Sequence, residues 1–487
     1  MTLNKTSVVL LIASLLIPAS EISAVSSETV FQGKAISYAG EKLVFLTYTD
    51  MISFRETEVA SCVVSDSGEF NCKALLDGTR LIFVKLGVYN CIFYAEPGLV
   101  YQIQLPQKRN KTEAEQMNPY FEETTIHLIA KPVDVTINRT IPSQSEEINL
   151  LIRSFNDSFN PFYYKYVVNA YLNSVDQEEI NKIVKSILEP FSAVANPFFR
   201  KYIDYRLGLL RHYGAQQSSA RIISDYFDSK PVLYYNPAYM ELFNEIFSDY
   251  FSAFMTEYPQ SNLLQVINRE MNLDKLMSQL RKEKALSNDS LLQLVLIKNL
   301  YESFYNDAYS KPAILILMDS LNTRTNIAYN KSVITDIKKE ITRLLSGSVP
   351  PQFSLYDKDS NLVSLENFKG KYVYLMFCNS YSYYCIREFE LLNDLNSRYS
   401  KDLAIVTILV DDNRQAMKDL LKTNNYTWTF LHYSSHPEII NEYEVKAYPS
   451  YCLIGPDGKL IASPAPSPME GFEQYLYKTM RGRGDIQ

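Results

Sequence analysis

The period at which apolar residues recur changes twice along this 487-residue chain. A segment patterned for one element type does not settle into another, so the two changes divide the chain into three differently built parts. From about residue 28 to 137 the apolar runs are short or alternating: Leu43 to Phe45, Cys62 to Val64, Leu81 to Lys85, Cys91 to Tyr94 and Tyr101 to Leu105. Turn residues separate them at Asp66-Ser67-Gly68, Asp77-Gly78 and Glu96-Pro97-Gly98. Many short strands at this spacing predict a β-sandwich-like domain. From about 143 to 345 the period becomes helical. Ser143 and Glu146 have capping-box spacing ahead of Ile148, Leu151, Ile152, Phe155 and Phe159. Asn196-Pro197 and Asn236-Pro237 each set a cap residue before a proline suited to the first helical position. The stripe Tyr239, Leu242, Phe243, Ile246, Phe247, Tyr250 and Phe251 follows the second, and further stripes run through Leu291 to Tyr305 and Val333 to Leu345. This predicts an all-α region of seven or eight helices whose stripes form a core.

Ser346-Gly347-Ser348-Val349-Pro350-Pro351 breaks the helical pattern and reads as a linker. Beyond it, over residues 349–487, strands and helices alternate. Tyr372 to Phe377, Leu403 to Val410, Trp428 to His432, Tyr451 to Ile454 and Lys459 to Ala462 are strand-like; Ser382 to Tyr399, Asn413 to Thr423 and Met469 to Met480 are helical. That order predicts an α/β domain with a central mixed sheet. A chain of this length calls for several cores, and 46% apolar with 21% charged residues describes a globular protein.

The first 24 residues have the layout of an export signal: Lys5, an apolar core from Val8 to Ile17, and Ile22-Ser23-Ala24 as a cleavage site. A core of that length is too short to span a bilayer. The reading is a periplasmic or envelope-associated protein in an oxidising compartment. The net charge of −7 argues against a nucleic-acid partner. No glycine-rich phosphate loop suggests a nucleotide. The four histidines, at 127, 212, 432 and 436, show no metal-ligand spacing. No cofactor and no metal are expected.

The turn Asp66-Ser67-Gly68 bears on two cysteines. As a three-residue hairpin loop with Gly68 left-handed, it sets Ser65 opposite Glu69 and Cys62 opposite Cys72. Directly opposed residues lie within disulfide range. The residues leave two readings open, a Cys62–Cys72 bridge or two buried thiols behaving as small hydrophobes.

The run from Phe377 through Cys378-Asn379-Ser380-Tyr381-Ser382-Tyr383-Tyr384-Cys385 to Arg387-Glu388-Phe389 resembles F-W-A-S-W-C-P-P-C-R-x-E-F. With Val445-Lys446-Ala447-Tyr448-Pro449-Ser450 and with Leu453-Ile454 before Pro456-Asp457-Gly458-Lys459, it resembles the thioredoxin-like family, in particular its exported TlpA/ResA-type branch of thiol-disulfide oxidoreductases. Upstream, Asp66-x-Gly68-x-Phe70, Tyr94-x-Glu96-Pro97-Gly98 and Asn236-Pro237-Ala238-Tyr239-Met240 resemble accessory parts of multidomain envelope proteins of Bacteroides type. The resemblance implies a thioredoxin fold, a cis Tyr448–Pro449 bond, and a proline loop that pairs with an extended substrate backbone. It also implies that Ser382 stands where the family carries its attacking cysteine, while Cys385 is the resolving one.

A serine hydroxyl is scarcely ionised near neutral pH, and the dithiol cycle needs a thiolate that attacks and a second thiol that resolves. The expected function is therefore binding of a protein or peptide client without dithiol catalysis, through an aromatic surface of Tyr381, Tyr383, Tyr384, Tyr448 and the Pro449 loop. The alternative is an atypical oxidoreductase using Cys385 with Cys378. Glu388, where the branch often has an acid that tunes the cysteine, reads here as a helix surface charge. Asp411-Asp412 reads as a solvated loop, and Cys452 as a core residue.

Overall fold

In a computed structural model, the described residues are 26–112, 115, 118, 121–133, 147–168, 176–411, 414–424 and 426–486. The expected export signal and the Ser143–Glu146 capping box lie outside them.

Among the described residues nine short strands build the N-terminal part. A five-stranded sheet runs in the order β3 (Glu56–Val63), β2 (Lys42–Tyr48), β5 (Arg80–Leu86), β6 (Tyr89–Ala95), β8 (Thr124–His127). A four-stranded sheet runs β4 (Glu69–Leu76), β1 (Ser27–Lys34), β7 (Val100–Gln104), β9 (Ile129–Val133). One core joins both, with Phe31, Phe45, Phe93 and Tyr101 at its centre. Along β4 the burial alternates strictly, with Phe70, Cys72, Ala74 and Leu76 inward, as period 2 requires. The turn holds the predicted register at its mouth, where the Ser65 amide donates to the Glu69 carbonyl and Gly68 has φ +84°. The strands then part: β3 pairs with β2 and β4 with β1, so β3 and β4 are edges of different sheets rather than one ladder. Cys62 and Cys72 are disulfide-bonded across this corner, with Cα atoms 5.2 Å apart.

The central region contains eleven α-helical segments among the described residues, more than the expected seven or eight. Short turns split the apolar stripes. The stripe through Tyr239 to Phe251 is buried throughout, yet the helix Pro237–Ile246 ends at Phe247. A second helix begins at Tyr250, after Asp249 in the left-handed region. Asn196 and Asn236 cap as their spacing predicts, accepting hydrogen bonds from the amides of Phe199 (3.0 Å) and Tyr239 (3.2 Å). Helix Ile148–Tyr163 buries the five apolar residues expected of it. Its cap is Glu147, whose carboxylate accepts from the amides of Asn149 and Leu150.

The C-terminal domain is a seven-stranded mixed sheet in the order β11 (Leu362–Ser364), β10 (Ser354–Asp357), β14 (Thr429–His432), β13 (Leu403–Leu409), β12 (Tyr372–Cys378), β15 (Ser450–Ile454), β16 (Leu460–Ala462). Strands β12, β13 and β14 are parallel, and β15 runs antiparallel to β12. β12 is buried at every residue, as a central strand covered on both faces must be. Its alternate residues enter two separate cores: Tyr372, Tyr374, Met376 and Cys378 on one face, Val373, Leu375 and Phe377 on the other. The linker is not free chain. The Gly347 amide donates to the Leu460 carbonyl (2.7 Å) and the Leu460 amide to the Ser348 carbonyl (2.8 Å), so it lies along β16.

Candidate functional site

Strand β12 delivers Cys378 to the start of the helix Tyr383–Tyr399, hereafter the motif helix, through a four-residue turn. Asn379 organises that turn. Its side-chain oxygen accepts from the Tyr381 amide (2.8 Å) and its carbonyl from the Ser382 amide (3.1 Å), an Asx-type arrangement. The Ser380 amide donates to Asp411 at 2.9 Å. Asp411 is fully buried, so it is a support beneath the turn and not part of a solvated loop; Asp412 lies outside the described residues.

Ser382 is the N-cap of the motif helix. Its Oγ accepts from the Cys385 amide at 3.4 Å, and its carbonyl accepts the first helical hydrogen bond, from Ile386 at 3.0 Å. Serine suits that position because its side-chain oxygen satisfies an orphan amide of the first turn. It is partly exposed.

Cys385 lies one turn in and is wholly buried, as is Cys378. Both lie in the same core cluster, where each affects the ionisation of the other. The neighbouring Cys378 side chain pulls the Cys385 thiol below the ordinary value, helped by the Asn379 backbone and the Ser382 hydroxyl, against burial and the Asp411 charge. Position at a helix N-terminus works in the same direction. Burial pushes Cys378 well above the ordinary value, so in this pair Cys385 is the thiol that ionises first. The inward alternation of β12 is what turns Cys378 toward the helix. The same alternation puts Cys452, paired through Leu375, in the opposite core, where burial pushes its thiol up to about 11.

The proline loop closes the other side. Tyr448–Pro449 is a cis peptide, and Ser450 then pairs with Phe377 at the end of β12. Tyr448 is half-buried. Burial raises its hydroxyl to about 12, with smaller effects from Tyr433, Cys385 and Cys378. On either side of Ser382, Tyr381, Tyr383 and Tyr384 stand 73%, 71% and 69% exposed, with the rings of Tyr383 and Tyr384 5.9 Å apart, edge to face. Aromatic side chains this exposed do nothing for a core.

Glu388 corrects a sequence expectation. It is 5% exposed, on the inner face of the motif helix, and not a surface charge. Burial raises its carboxyl, opposed by the Met469 backbone and the hydroxyls of Tyr451 and Ser467.

The fold therefore gathers Ser382, Cys385, Cys378, Tyr448, Pro449 and the exposed tyrosines, while Cys62 and Cys72 belong to the N-terminal sandwich. Asn379, Asp411 and the burial of Glu388 were missed. The signal for the first was an asparagine two residues before a turn tyrosine; no local pattern marks the others. Among the described residues no group of three or more His, Cys, Asp or Glu side chains is arranged to hold a metal ion, and no helix is long and apolar enough to cross a membrane.

The AhpC/TSA family profile matches residues 347–463. The chain is 30% identical over 134 residues to the thiol-disulfide oxidoreductase ResA of Bacillus thuringiensis subsp. konkukian, covering 27% of this chain and 77% of that protein. It is 27% identical over 116 residues to ResA of Bacillus subtilis, covering 24% and 64%. Among solved structures, the thioredoxin domain of a thiol-disulfide oxidoreductase from Bacteroides vulgatus aligns with 25% identity and a TM-score of 0.26, over 28% of this chain and 98% of that one.

Proposed function

Because the chain belongs, through its C-terminal domain, to the thioredoxin-like thiol-disulfide oxidoreductases, we propose that it is an exported member of that family that has lost dithiol catalysis and retains client binding. One observation carries the reading. At the position of the family's attacking thiol, a serine hydroxyl caps the motif helix, and the remaining motif thiol has no exposed surface. An incoming disulfide meets three tyrosines and a hydroxyl rather than a thiolate. The client is a protein or peptide of the cell envelope, held against Tyr381, Tyr383 and Tyr384 beside the Tyr448–Pro449 loop. Rigid amphipathic rings of this kind supply contact area at small entropic cost.

The burial of Cys378 and Cys385 in one core, with the Cys385 thiol the more readily ionised, favours a second reading. If the turn opens, the Cys385 thiolate attacks a client disulfide, forms a mixed disulfide and releases one client thiolate. The Cys378 thiolate then attacks the Cys385 sulfur, closing a Cys378–Cys385 disulfide and releasing the second client thiol. The pair loses two electrons and the client gains them.

A disulfide-reduction assay on the wild type and Cys385→Ala, paired with pull-down from an envelope extract, separates the two. The binding reading expects no thiol-dependent turnover. It also expects client retention that survives Cys385→Ala and is lost when Tyr381, Tyr383 and Tyr384 are all changed to Ser. Turnover abolished by Cys385→Ala would overturn it in favour of the second. Export is tested by fractionating cells that express the chain with and without residues 1–24.

A further inference from the structure

A cavity of about 740 Å³ in the C-terminal domain is not lined by the cysteine pair. It opens between the β10–β11 hairpin, the helix Arg414–Thr423 and the start of β14. Its apolar wall is Val363, Phe368, Leu421, Tyr426, Trp428 and Phe430. Tyr426, Trp428 and Phe430, leading into β14, form one packed unit, with Tyr426–Trp428 and Trp428–Phe430 centroids 4.9 and 5.0 Å apart. The indole N–H of Trp428 is spent inside, on the Thr407 hydroxyl at 2.9 Å, so the ring offers the cavity apolar surface only.

The charges around this wall are unbalanced. Asp357 accepts from the amides of Asp359 and Asn361 and from the Asn361 side chain, and Lys358 pairs with Asp359 at 2.7 Å. Those three are accounted for. Lys418 and Lys422 line the same cavity one helical turn apart, and neither is in an ion pair among the described residues. Like charges at this spacing work against a helix. An anion seated between them would relieve that repulsion while its apolar body covers the aromatic wall. Small-molecule sites have this size and this make-up, an apolar lining with a few convergent polar groups.

We infer that this cavity binds a small amphipathic carboxylate, its charged end at Lys418 and Lys422 and its apolar body on Tyr426, Trp428 and Phe430. The site is tied to the motif helix. Phe389, one turn beyond Cys385, stacks edge-on against all three rings, at 5.3, 5.9 and 5.6 Å. An occupant therefore presses on the side of the helix that carries the buried thiol. The inference stands on residues separate from those of the client surface.

Trp428 is the sole tryptophan of the chain, so its emission reports on this cavity. The probe is decanoate, titrated into the full-length protein below its micelle-forming concentration, with calorimetry in parallel. The expected result is saturable one-site binding that perturbs Trp428 emission. Decanol should bind more weakly, and Lys418→Gln/Lys422→Gln should weaken decanoate binding about fivefold, the scale expected of exposed charge pairs. Both lysines are exposed, so the variant keeps the fold, which circular dichroism checks. Absence of saturable binding by both methods would overturn the inference. So would equal affinity for decanol, or an unchanged affinity in the double variant.

Discussion

Two cysteine pairs in this chain have met opposite fates. Cys62 and Cys72 are joined by a disulfide at the corner where β3 and β4 leave a common turn for different sheets. Cys378 and Cys385 remain thiols in one core, at the end of a central strand and in the first turn of a helix. The first pair sits on edge strands with Cys62 partly exposed, within reach of an oxidant. The second has no exposed surface on either thiol-bearing residue. The difference teaches that proximity of two thiols does not by itself decide their state; access does. It also assigns them different work. The bonded pair reduces the unfolded chain's freedom in a small sandwich, while the open pair is held in a core of the C-terminal domain.

The strongest way to break that contrast is to give the second pair an outlet. Ser382→Cys puts a partly exposed thiol at the helix N-terminus, with Cys385 behind it. Turnover in a disulfide-reduction assay should rise on the order of a hundredfold over the wild type, the scale expected when a reachable thiolate replaces a buried one. Unchanged turnover would mean that more than the missing thiol silences the site. Next in size is opening the first pair. Cys62→Ser/Cys72→Ser should cost about 2–3 kcal/mol of stability, read by denaturant unfolding, with the loss confined to the N-terminal domain.

A smaller effect tests what Ser382 does in the protein as it stands. Ser382→Ala should lose about 1 kcal/mol through the cap and leave disulfide turnover unchanged, whereas a catalytic hydroxyl would show in both. The smallest concerns Glu388, beneath the second pair. Burial raises its folded carboxyl above the unfolded value, so the unfolded state ionises first as pH rises. The stability of the neutral acid is fully present below the unfolded pKa and is lost as pH rises through the folded one. Glu388→Gln, neutral throughout, should therefore gain thermal stability over the wild type at neutral pH, with the gain vanishing in acid. A gain that persists in acid would assign it to packing instead.

Several of these points were legible in advance. The Cys62–Cys72 opposition follows from one glycine turn, and the buried faces of Ile148–Tyr163 and of Tyr239 to Phe251 follow from spacing alone. The helix count did not, because a stripe continues across a turn such as Phe247–Asp249 without changing its apolar rhythm. The separation of β3 from β4 was hidden for a related reason. A local register describes the first residues beyond a turn and says nothing of which sheet each strand joins later.

At the site, the residue types stood plainly in the sequence. Ser382 before Cys385, the Tyr448–Pro449 loop and the tyrosines at residues 381, 383 and 384 were all readable, since motifs and caps are local and act through neighbouring backbone. That Cys378 faces Cys385 was not. Period 2 groups Tyr372, Tyr374, Met376 and Cys378 on one side of β12, but two cores flank this strand and the pattern is equally apolar on both. The motif helix packs on one of them, and that choice belongs to the crossover between elements. Burial of Glu388 and Asp411 is likewise a property of what β15, the 467–469 segment and the 379–381 turn bring over them. The sequence alone determined the three-part division, the fold of the last part and the serine at position 382. Tertiary structure alone decided which thiols meet, which carboxyls are dry and which lysines line a cavity, because those depend on contacts between segments distant along the chain.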